Sequence, residues 1–324
     1  MLEILTHFSA LRFLRSYSSR LGMLATISPR ALMANRLLPF LIENRGVRGF
    51  AVEITEGIPD LLGWRDYPPD VFRQLGHALA ATPLLAADLR QDARLNLQFQ
   101  GKTGEDSEPP LKLLVTQIDS QLQLRGMAKC GPGASGDFQA LMGGGTLACL
   151  IEPRHGGERY QALVGVYGDS LAEALQIYYG QSEQLLTRVR LGAAPDRFVG
   201  LMLQRLPENS SDDDWVHVHH LVQTLEEPEL LATEAETLLR RLFAEDTVRV
   251  FEARPIQLQC QCSHAQISAM LLGLGEEELK PLLIERGRVD VTCEFCGKEY
   301  AYREVEVREL FAASQAQPAE HRLQ

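Results

Sequence analysis

Residues 256–303 read IQLQCQCSHAQISAMLLGLGEEELKPLLIERGRVDVTCEFCGKEYAYR and hold four of the six cysteines in this chain of 324 residues. A C-x-C pair is followed by 30 other residues and then by a C-x-x-C pair, with Gly297 directly after it. Four thiolates are what a closed tetrahedral zinc site requires. The pattern therefore predicts a zinc ion held by all four cysteines of this stretch, which are Cys260, Cys262, Cys293 and Cys296.

The sequence around the C-x-x-C pair predicts a sharp turn at the tip of a hairpin. Residues 288–292 and 299–307 are rich in Val and Tyr, as strands are. Gly297 would relieve the strain of a turn in which backbone amides point at the sulfurs. His264 is an alternative ligand, but we expect it at the surface. Cys130 and Cys149 stand apart, and we expect them to be small buried apolar groups.

A module of this size, residues 256–311, has little core of its own. Structural zinc contributes on the order of 10–16 kcal/mol of apparent folding free energy. Oxidising the thiolates would eject the metal, and each cysteine pair can close on itself without rearranging the chain. The sequence therefore permits a redox-controlled order–disorder switch.

Two other functions fit four paired cysteines. A zinc-ribbon nucleic-acid module is disfavoured because residues 256–311 carry ten acidic and only six basic residues. A thiol–disulfide oxidoreductase would place its C-x-x-C at a helix N-terminus after a strand, and that context is absent from the sequence. We find no GxSxG, HExxH or Walker pattern, so no enzyme is predicted.

Residues 207–255 are predicted to form a metastable helical linker. The segment opens with the acidic turn PENSSDDD and holds 12 acidic residues against four arginines. Its short helical pieces are interrupted at Pro228, so they would be stable only when docked on another surface. The cluster of His217, His219 and His220 could bind a metal, although we interpret it as a solvated start of a helix.

Residues 36–206 are predicted to form one α/β domain of mixed sheet and helix. Helical spacing of leucines covers residues 70–90, with Pro83 as a kink or break, and a second helix is expected over 170–186 with Asp169 as its N-cap. Apolar stretches, several with a period of two, predict strands over 94–100, 111–118, 120–125, 146–151, 160–167, 187–191 and 199–206. The predicted fold class is α+β, with this domain followed by the helical linker and the small zinc-binding domain.

The two ends of the chain lie outside the predicted fold. Residues 1–38 contain five arginines and a single acid, which is typical of either an organellar targeting segment or sequence upstream of the true start. We therefore treat residues 1–35 as an extension, and residues 312–324 as a disordered tail. The net charge of −11 argues against nucleic-acid binding, and no apolar run is long enough to span a membrane.

Beyond the cysteine pattern, three further segments carry a family resemblance. They are LIENRGVRG at 41–49, GERYQALVGVYGDSLAEAL at 157–175 and YYGQSEQLLTR at 178–188. Together with the C-x-C…C-x-x-C-G signature they resemble the 33 kDa chaperonin family of redox-regulated heat-shock holdases. The similarity covers about residues 36–311, with Leu186 standing where that family usually has proline.

The resemblance implies a function. The reduced protein would hold zinc and be inactive, and an oxidant such as hypochlorous acid, or peroxide with heat, would form the disulfides Cys260–Cys262 and Cys293–Cys296. Zinc would leave, the linker would unfold, and apolar surface would become available to unfolding client proteins. The active form would be a homodimer that works without ATP and passes clients to ATP-dependent foldases. The resemblance also implies a cytoplasmic protein.

Overall fold

Two six-stranded sheets with a long helix between them form the body of the protein. The computed structural model describes residues 35–89, 92–102, 108–153 and 157–316. Nearly all of the predicted 1–35 extension therefore lies outside the described residues, and Asn35 is the first residue of a strand. The predicted α+β fold class is confirmed.

The first sheet has the strand order β10-β1-β2-β9-β8, with β11 also paired to β1. All of its pairings are antiparallel. Its strands are Asn35–Ile42 (β1), Val47–Ile54 (β2), Thr187–Ala194 (β8), Arg197–Arg205 (β9), Val248–Val250 (β10) and Arg254–Pro255 (β11).

The second sheet has the order β12-β5-β4-β3-β6-β7 and is antiparallel except for the pair β12–β5. Its strands are Ala93–Gln100 (β3), Leu111–Asp119 (β4), Gln123–Cys130 (β5), Thr146–Pro153 (β6), Tyr160–Gly165 (β7) and Gln257–Leu258 (β12).

Four α-helices belong to the described part of the body: Ile58–Leu62 (α1), Pro69–Leu85 (α2), Phe138–Met142 (α3) and Leu171–Tyr178 (α4). The long helix α2 packs between the sheets, because Leu75 and Leu79 share one buried cluster with Phe50 of the first sheet and Leu97 of the second.

Strands β1 and β2 were not predicted as strands. Both are buried on both faces, so their sequences NRLLPFLI and VRGFAVEI lack the alternation that marks a half-exposed strand.

Several predicted boundaries in the body were wrong. Helix α2 ends at Leu85 instead of residue 90, with Pro83 inside its last turn. The predicted strand 120–125 begins with a turn, in which the Asp119 carboxylate accepts hydrogen bonds from the backbone of Gln121 and Gln123, so β5 starts only at Gln123.

The second predicted helix is also shorter, because α4 stops at Tyr178 and continues as one π-helical turn, Tyr179–Glu183. Its N-cap is Ser170 rather than Asp169, since the Ser170 hydroxyl accepts the backbone N–H of Glu173.

The predicted linker contains three helices and the two short strands β10 and β11. The helices are Asp212–Gln223 (α5), Glu227–Ala232 (α6) and Ala235–Leu242 (α7). Trp215, Val218, Leu238 and Phe243 form a buried cluster with the outer face of the first sheet, which includes Leu38, Phe40, Ile42, Val199, Leu201 and Leu203. The first sheet is therefore covered by α2 on one face and by the linker on the other.

A buried carboxylate joins the linker to the sheet. Glu53 of β2 is 7% exposed; it accepts hydrogen bonds from Arg36 and Arg197 and from the backbone N–H of Ala235 in the first turn of α7. Unpaired N–H groups and the helix dipole at an N-terminus both favour a negative charge there. Glu53 thus fixes α7 against β2.

A second carboxylate fixes α6 against helix α2. Glu227 of α6 accepts hydrogen bonds from His77 and Arg73 of α2 and from the backbone of Ala193. Burial alone would raise the pKa of Glu227, but the bonds from His77 and Arg73 outweigh it and lower the pKa to about 2.

The C-terminal part has its own small core around a hairpin and three helices. These elements are His264–Leu274 (α8), Glu276–Arg286 (α9), Arg288–Thr292 (β13), Glu299–Arg303 (β14) and Glu304–Ala316 (α10). The predicted strand 299–307 is wrong at its end, because the chain turns into α10 at Glu304, where Glu306 accepts the Arg303 backbone N–H. Residues 312–316 of the predicted tail are helical, and 317–324 lie outside the described residues.

No helix among the described residues is both long and apolar enough to cross a membrane. The division of the chain into domains at residues 36, 207, 256 and 312 remains a prediction.

Trp215→Ala should loosen the linker from the first sheet. The Trp215 side chain is buried in the shared cluster, and removing a buried Trp costs about 3–5 kcal/mol. We expect faster hydrogen exchange over residues 212–242 and stronger binding of an apolar fluorescent dye. Val216→Ala, at a half-exposed position of the same helix, is the control. Equal exchange in both variants would contradict the role of this cluster.

Acidification should weaken the contact between α5 and β8. The His219 Nδ1 atom accepts a hydrogen bond from Arg188, and burial together with Arg188, His220 and Arg190 lowers the His219 pKa below its ordinary 6.5. Folding therefore favours neutral His219, and this contribution is complete above pH 6.5 and lost as the pH falls through the lower, folded pKa. The protection of the α5 amides, measured as the exchange rate relative to the intrinsic rate at each pH, should fall at acidic pH, and less steeply in His219→Gln. A pH dependence unchanged by that substitution would rule His219 out.

Candidate metal centre

The four cysteines of the C-terminal part meet at one point. Their sulfur atoms all lie within 4.8 Å of one another. The Sγ atoms of Cys260 and Cys293 are 3.7 Å apart, and those of Cys262 and Cys296 are 3.4 Å apart. The two sequence pairs are thus interleaved into a single cluster, as the metal-site prediction required.

This arrangement fits a tetrahedral metal ion. A zinc–sulfur distance of about 2.3 Å places the corners of the tetrahedron about 3.8 Å apart, close to the observed separations. Cys293 is buried, and the other three cysteines are partly buried. The residues present could therefore hold a metal ion with four sulfur ligands.

The thiols also favour a cation on electrostatic grounds. Burial raises the pKa of Cys260, and the neighbouring Cys293 raises it further. Burial raises the pKa of Cys296 well above its usual range. Burial acts in the same direction on Cys262, but the neighbouring Tyr300 and Cys296 side chains outweigh it, and the pKa of Cys262 is lowered. Four packed thiols resist joint ionisation unless a cation compensates them, and a bound metal does so.

The C-x-C pair is positioned by the body of the protein. Strand β12 adds to β5 in parallel register, with Leu258 beside Leu124, and the backbone N–H of Gln259 donates to the Leu124 carbonyl. Gln261, between the two cysteines, donates its side-chain amide to Asp119. Ser263 then caps α8 by accepting the Gln266 backbone N–H. The chain is thus fixed on both sides of Cys260 and Cys262.

The C-x-x-C pair lies in a turn between β13 and β14. The backbone N–H of Gly297 donates to the Cys293 carbonyl, and the backbone N–H of Cys293 donates to the Lys298 carbonyl. Gly297 has a φ of +70°, which confirms the turn expected from the sequence. A Cβ at this position would also come within 2.5 Å of the Trp64 ring, so glycine is needed for a second reason.

We call the segment Cys293–Gly297 the knuckle, and it rests directly on the body. The indole Nε1 of Trp64 donates to the Phe295 carbonyl at 3.1 Å. Glu294 forms ion pairs with Arg65 and Lys129, and the Arg65 bond lowers the Glu294 pKa despite partial burial. The metal centre is therefore part of the interface between the C-terminal module and the body.

These body residues were missed by the sequence reasoning. Trp64 and Arg65 follow α1 and Lys129 lies in β5, more than 160 positions before the knuckle. No spacing rule connects positions so far apart. One available signal was Trp64 itself, which is one of only two tryptophans in the chain and follows a glycine.

The remaining sequence candidates lie elsewhere. The His264 ring packs 4.6 Å from that of Tyr302 and is not part of the cysteine group. His217 pairs with Asp246 and His219 with Arg188, so these histidines hold the linker instead of a metal. Cys130 and Cys149 are free and pack against the main core, as predicted, and burial raises the Cys149 pKa to about 12.

The fold and the site together define a class of protein: an α+β body with a helical linker packed on it and a C-terminal module built around four cysteines. The family profile described as Hsp33 protein matches residues 35–303. The chain belongs to the Hsp33 family, which confirms the resemblance seen in the sequence.

Individual relatives agree with this assignment. The 33 kDa chaperonin of Methylobacillus flagellatus is 37% identical over 291 residues, covering 88% of this chain and 97% of that protein. The 33 kDa chaperonin of Nitrosococcus oceani is 40% identical over 274 residues, covering 84% of this chain and 92% of that protein. The crystal structure of the 33 kDa chaperonin of Thermotoga maritima superposes with a TM-score of 0.75 at 21% identity, covering 88% of this chain and all of that one, and shows the same fold.

Gly297→Ala should disturb both the turn of the knuckle and its contact with Trp64. Alanine is strained at this positive φ, and its methyl group would collide with Trp64. We expect the variant to lose bound metal to a competing chelator faster than the parent protein. Gly273→Ala is the matched control, because it lies in α8 of the same module with open space around it. Equal metal loss in both variants would contradict the proposed role of Gly297.

Proposed function

We propose that this protein is an ATP-independent chaperone, a holdase, that is inactive with zinc on Cys260, Cys262, Cys293 and Cys296 and active after their oxidation. The observation that carries the proposal is the position of the linker. Its helices cover the apolar outer face of the first sheet, and the chain runs from them directly into the cysteine module. Family membership supports the chaperone function.

The chemistry of activation is a two-electron oxidation of each cysteine pair. The thiolates of Cys260 and Cys262 join through one S–S bond, and those of Cys293 and Cys296 join through another. In each case two electrons pass to the oxidant; hypochlorous acid, taking up one proton, is reduced to chloride and water. Neutral disulfide sulfurs are poor zinc ligands, so Zn²⁺ leaves and its contribution to folding is lost.

Loss of the metal would reach the linker through the backbone. Cys260 is two residues beyond β12, and β10, β11 and β12 are strands of only two or three residues. Such short strands depend on the segments at their ends. The segment 248–258 is held at one end by the linker helices and at the other by the cysteine module. Disorder in the cysteine module would therefore remove one of these two attachments.

The surface uncovered by the linker suits an unfolding client. Leu38, Phe40, Ile42, Leu201 and Leu203 are each completely buried beneath the linker helices. A contiguous apolar face of this kind binds exposed apolar segments without sequence specificity. No nucleotide site is needed, because the energy for the switch comes from the oxidation.

The wider setting of this function is proposed by analogy with the family. We propose that the active form is a homodimer in the cytoplasm, and that it releases clients to ATP-dependent foldases. The strongly acidic chain, with a net charge of −11, would keep an exposed apolar binder in solution.

The test compares the reduced, zinc-loaded protein with the same protein after hypochlorous acid treatment. We expect suppression of the aggregation of heat-unfolded luciferase only after oxidation, with release of one zinc ion and formation of two disulfides. The variant Cys130→Ala/Cys149→Ala should switch normally, because these cysteines lie outside the cluster. Equal suppression in both redox states, or in neither, would refute the proposal.

The disulfide pairing is tested separately by mass spectrometry of the oxidised protein. The sulfur distances alone do not select a pairing, since all four atoms lie within 4.8 Å of one another. Peptides linking Cys260 to Cys262 and Cys293 to Cys296 are expected. Links between the two pairs would refute the pairing without affecting the holdase assignment.

A further inference from the structure

The metal centre has a close neighbour that belongs to the body of the protein. Arg125 lies in the middle of β5, in the second sheet, and its Nη1 atom donates to the Sγ atom of Cys260 at 3.7 Å. We infer that Arg125 is a positioning residue of the metal centre, through which the body recognises the reduced, metal-bound cysteines. This inference rests on the proposed zinc site.

The Arg125 guanidinium is held rigidly before the module reaches it. Gln117 stands directly opposite on β4, and its side-chain carbonyl accepts hydrogen bonds from Nε and Nη2 at 2.8 and 2.6 Å. Two of the guanidinium nitrogens are thereby fixed, and the third, Nη1, is directed at the sulfur. A preorganised donor loses little conformational entropy when the cysteine arrives.

Arg125 touches both halves of the cysteine set. Its guanidinium carbon lies 4.1 Å from the centroid of the Phe295 ring, a cation–π contact with one of the two residues between Cys293 and Cys296. One side chain of the body thus contacts the C-x-C pair through sulfur and the C-x-x-C pair through an aromatic ring. The two pairs are separated by 30 residues in the sequence, but they present a single surface to Arg125.

Charge explains why the reduced centre would be favoured. Four thiolates around one Zn²⁺ carry a net charge of −2, and a hydrogen bond between a guanidinium and such a sulfur is charge-assisted. After oxidation the Cys260 sulfur is neutral and bonded to a second sulfur, so this bond loses its electrostatic contribution. The bond from Arg125 to the Cys260 sulfur therefore favours docking of the module in the reduced state, whereas the contact of Arg125 with Phe295 does not depend on the charge of the cysteines.

The ion pairs of Glu294 with Arg65 and Lys129 act differently. Their charges do not change when the cysteines are oxidised, and the side chains of Glu294 and Lys129 are about half exposed, at 50% and 45%. Exposed pairs of this kind contribute little to stability. Of the basic residues that contact the knuckle in the described structure, Arg125 is the one with a hydrogen bond to a ligand sulfur.

The experiment measures the release of zinc from the full-length reduced protein to a chromogenic chelator. Arg125→Gln removes the charge, whereas Arg125→Lys keeps a charge but lacks the planar fork that holds Gln117 with two nitrogens while the third reaches Cys260. The control is Lys112→Gln, which removes one charge from β4 of the same sheet, where Lys112 pairs with Glu108. Far-UV circular dichroism checks that each variant folds, and hydrogen exchange over residues 293–297 reports how tightly the knuckle is held.

We expect Arg125→Gln to release zinc about 10-fold faster or more, in line with the effect of outer contacts on metal affinity. Arg125→Lys should lie between it and the parent protein, and Lys112→Gln should match the parent. In the parent, exchange at the knuckle should rise on oxidation, and in Arg125→Gln it should already be raised in the reduced state.

Zinc release by a folded Arg125→Gln variant at the parent rate would overturn the inference and leave the proposed function intact. If Arg125→Gln does not fold, Arg125→Lys takes its place, and zinc release by folded Arg125→Lys at the parent rate would likewise overturn the inference. A parent protein that binds no zinc would overturn the proposed zinc site and this inference together.

Discussion

The structure depends on the burial of one apolar sheet on both of its faces. Leu37 and Phe50 face the central helix, while Leu38 and Phe40 face the linker, so successive residues of the same strands belong to two different cores. The first of these cores also contains residues of the second sheet and does not involve the linker helices. The second core exists only while the linker is in place. The alternation of side chains along β1, β2 and β9 therefore separates a core that includes no linker helix from a core that the first sheet shares with the linker.

Polar contacts determine where the linker helices lie on the first sheet. Glu53 fixes the start of α7, Glu227 fixes α6 to α2, and Asp246 accepts bonds from Arg45 and His217. Such buried pairs add specificity more than stability, because desolvation offsets most of their attraction. The linker is thus positioned by ion pairs and stabilised by the burial of apolar area.

Much of the metal site could be predicted from the sequence, because four cysteines in two short pairs leave few alternatives and Gly297 marks the turn. The strands with a polar face, such as β3, were also predictable from their alternation. Strands β1 and β2 were not, because residues buried on two faces lose the period-two signal. The contacts of Trp64 and Arg125 with the knuckle were not predictable either, since they join residues far apart in the sequence. The two-residue strand β12, which pairs with β5 beside Arg125, also leaves no pattern in a sequence.

The edge of β1 that faces away from β2 also depends on the position of the linker. At rest its backbone is paired with β10 and β11, both contributed by the segment that joins the linker to the cysteine module. Departure of that segment would turn β1 from an interior strand into an edge strand with unpaired N–H and C=O groups. Such an edge can pair with any extended chain, including β1 of another copy of this protein. In the proposed function, pairing of β1 with β10 and β11 would therefore prevent self-assembly through this edge as well as premature binding of clients.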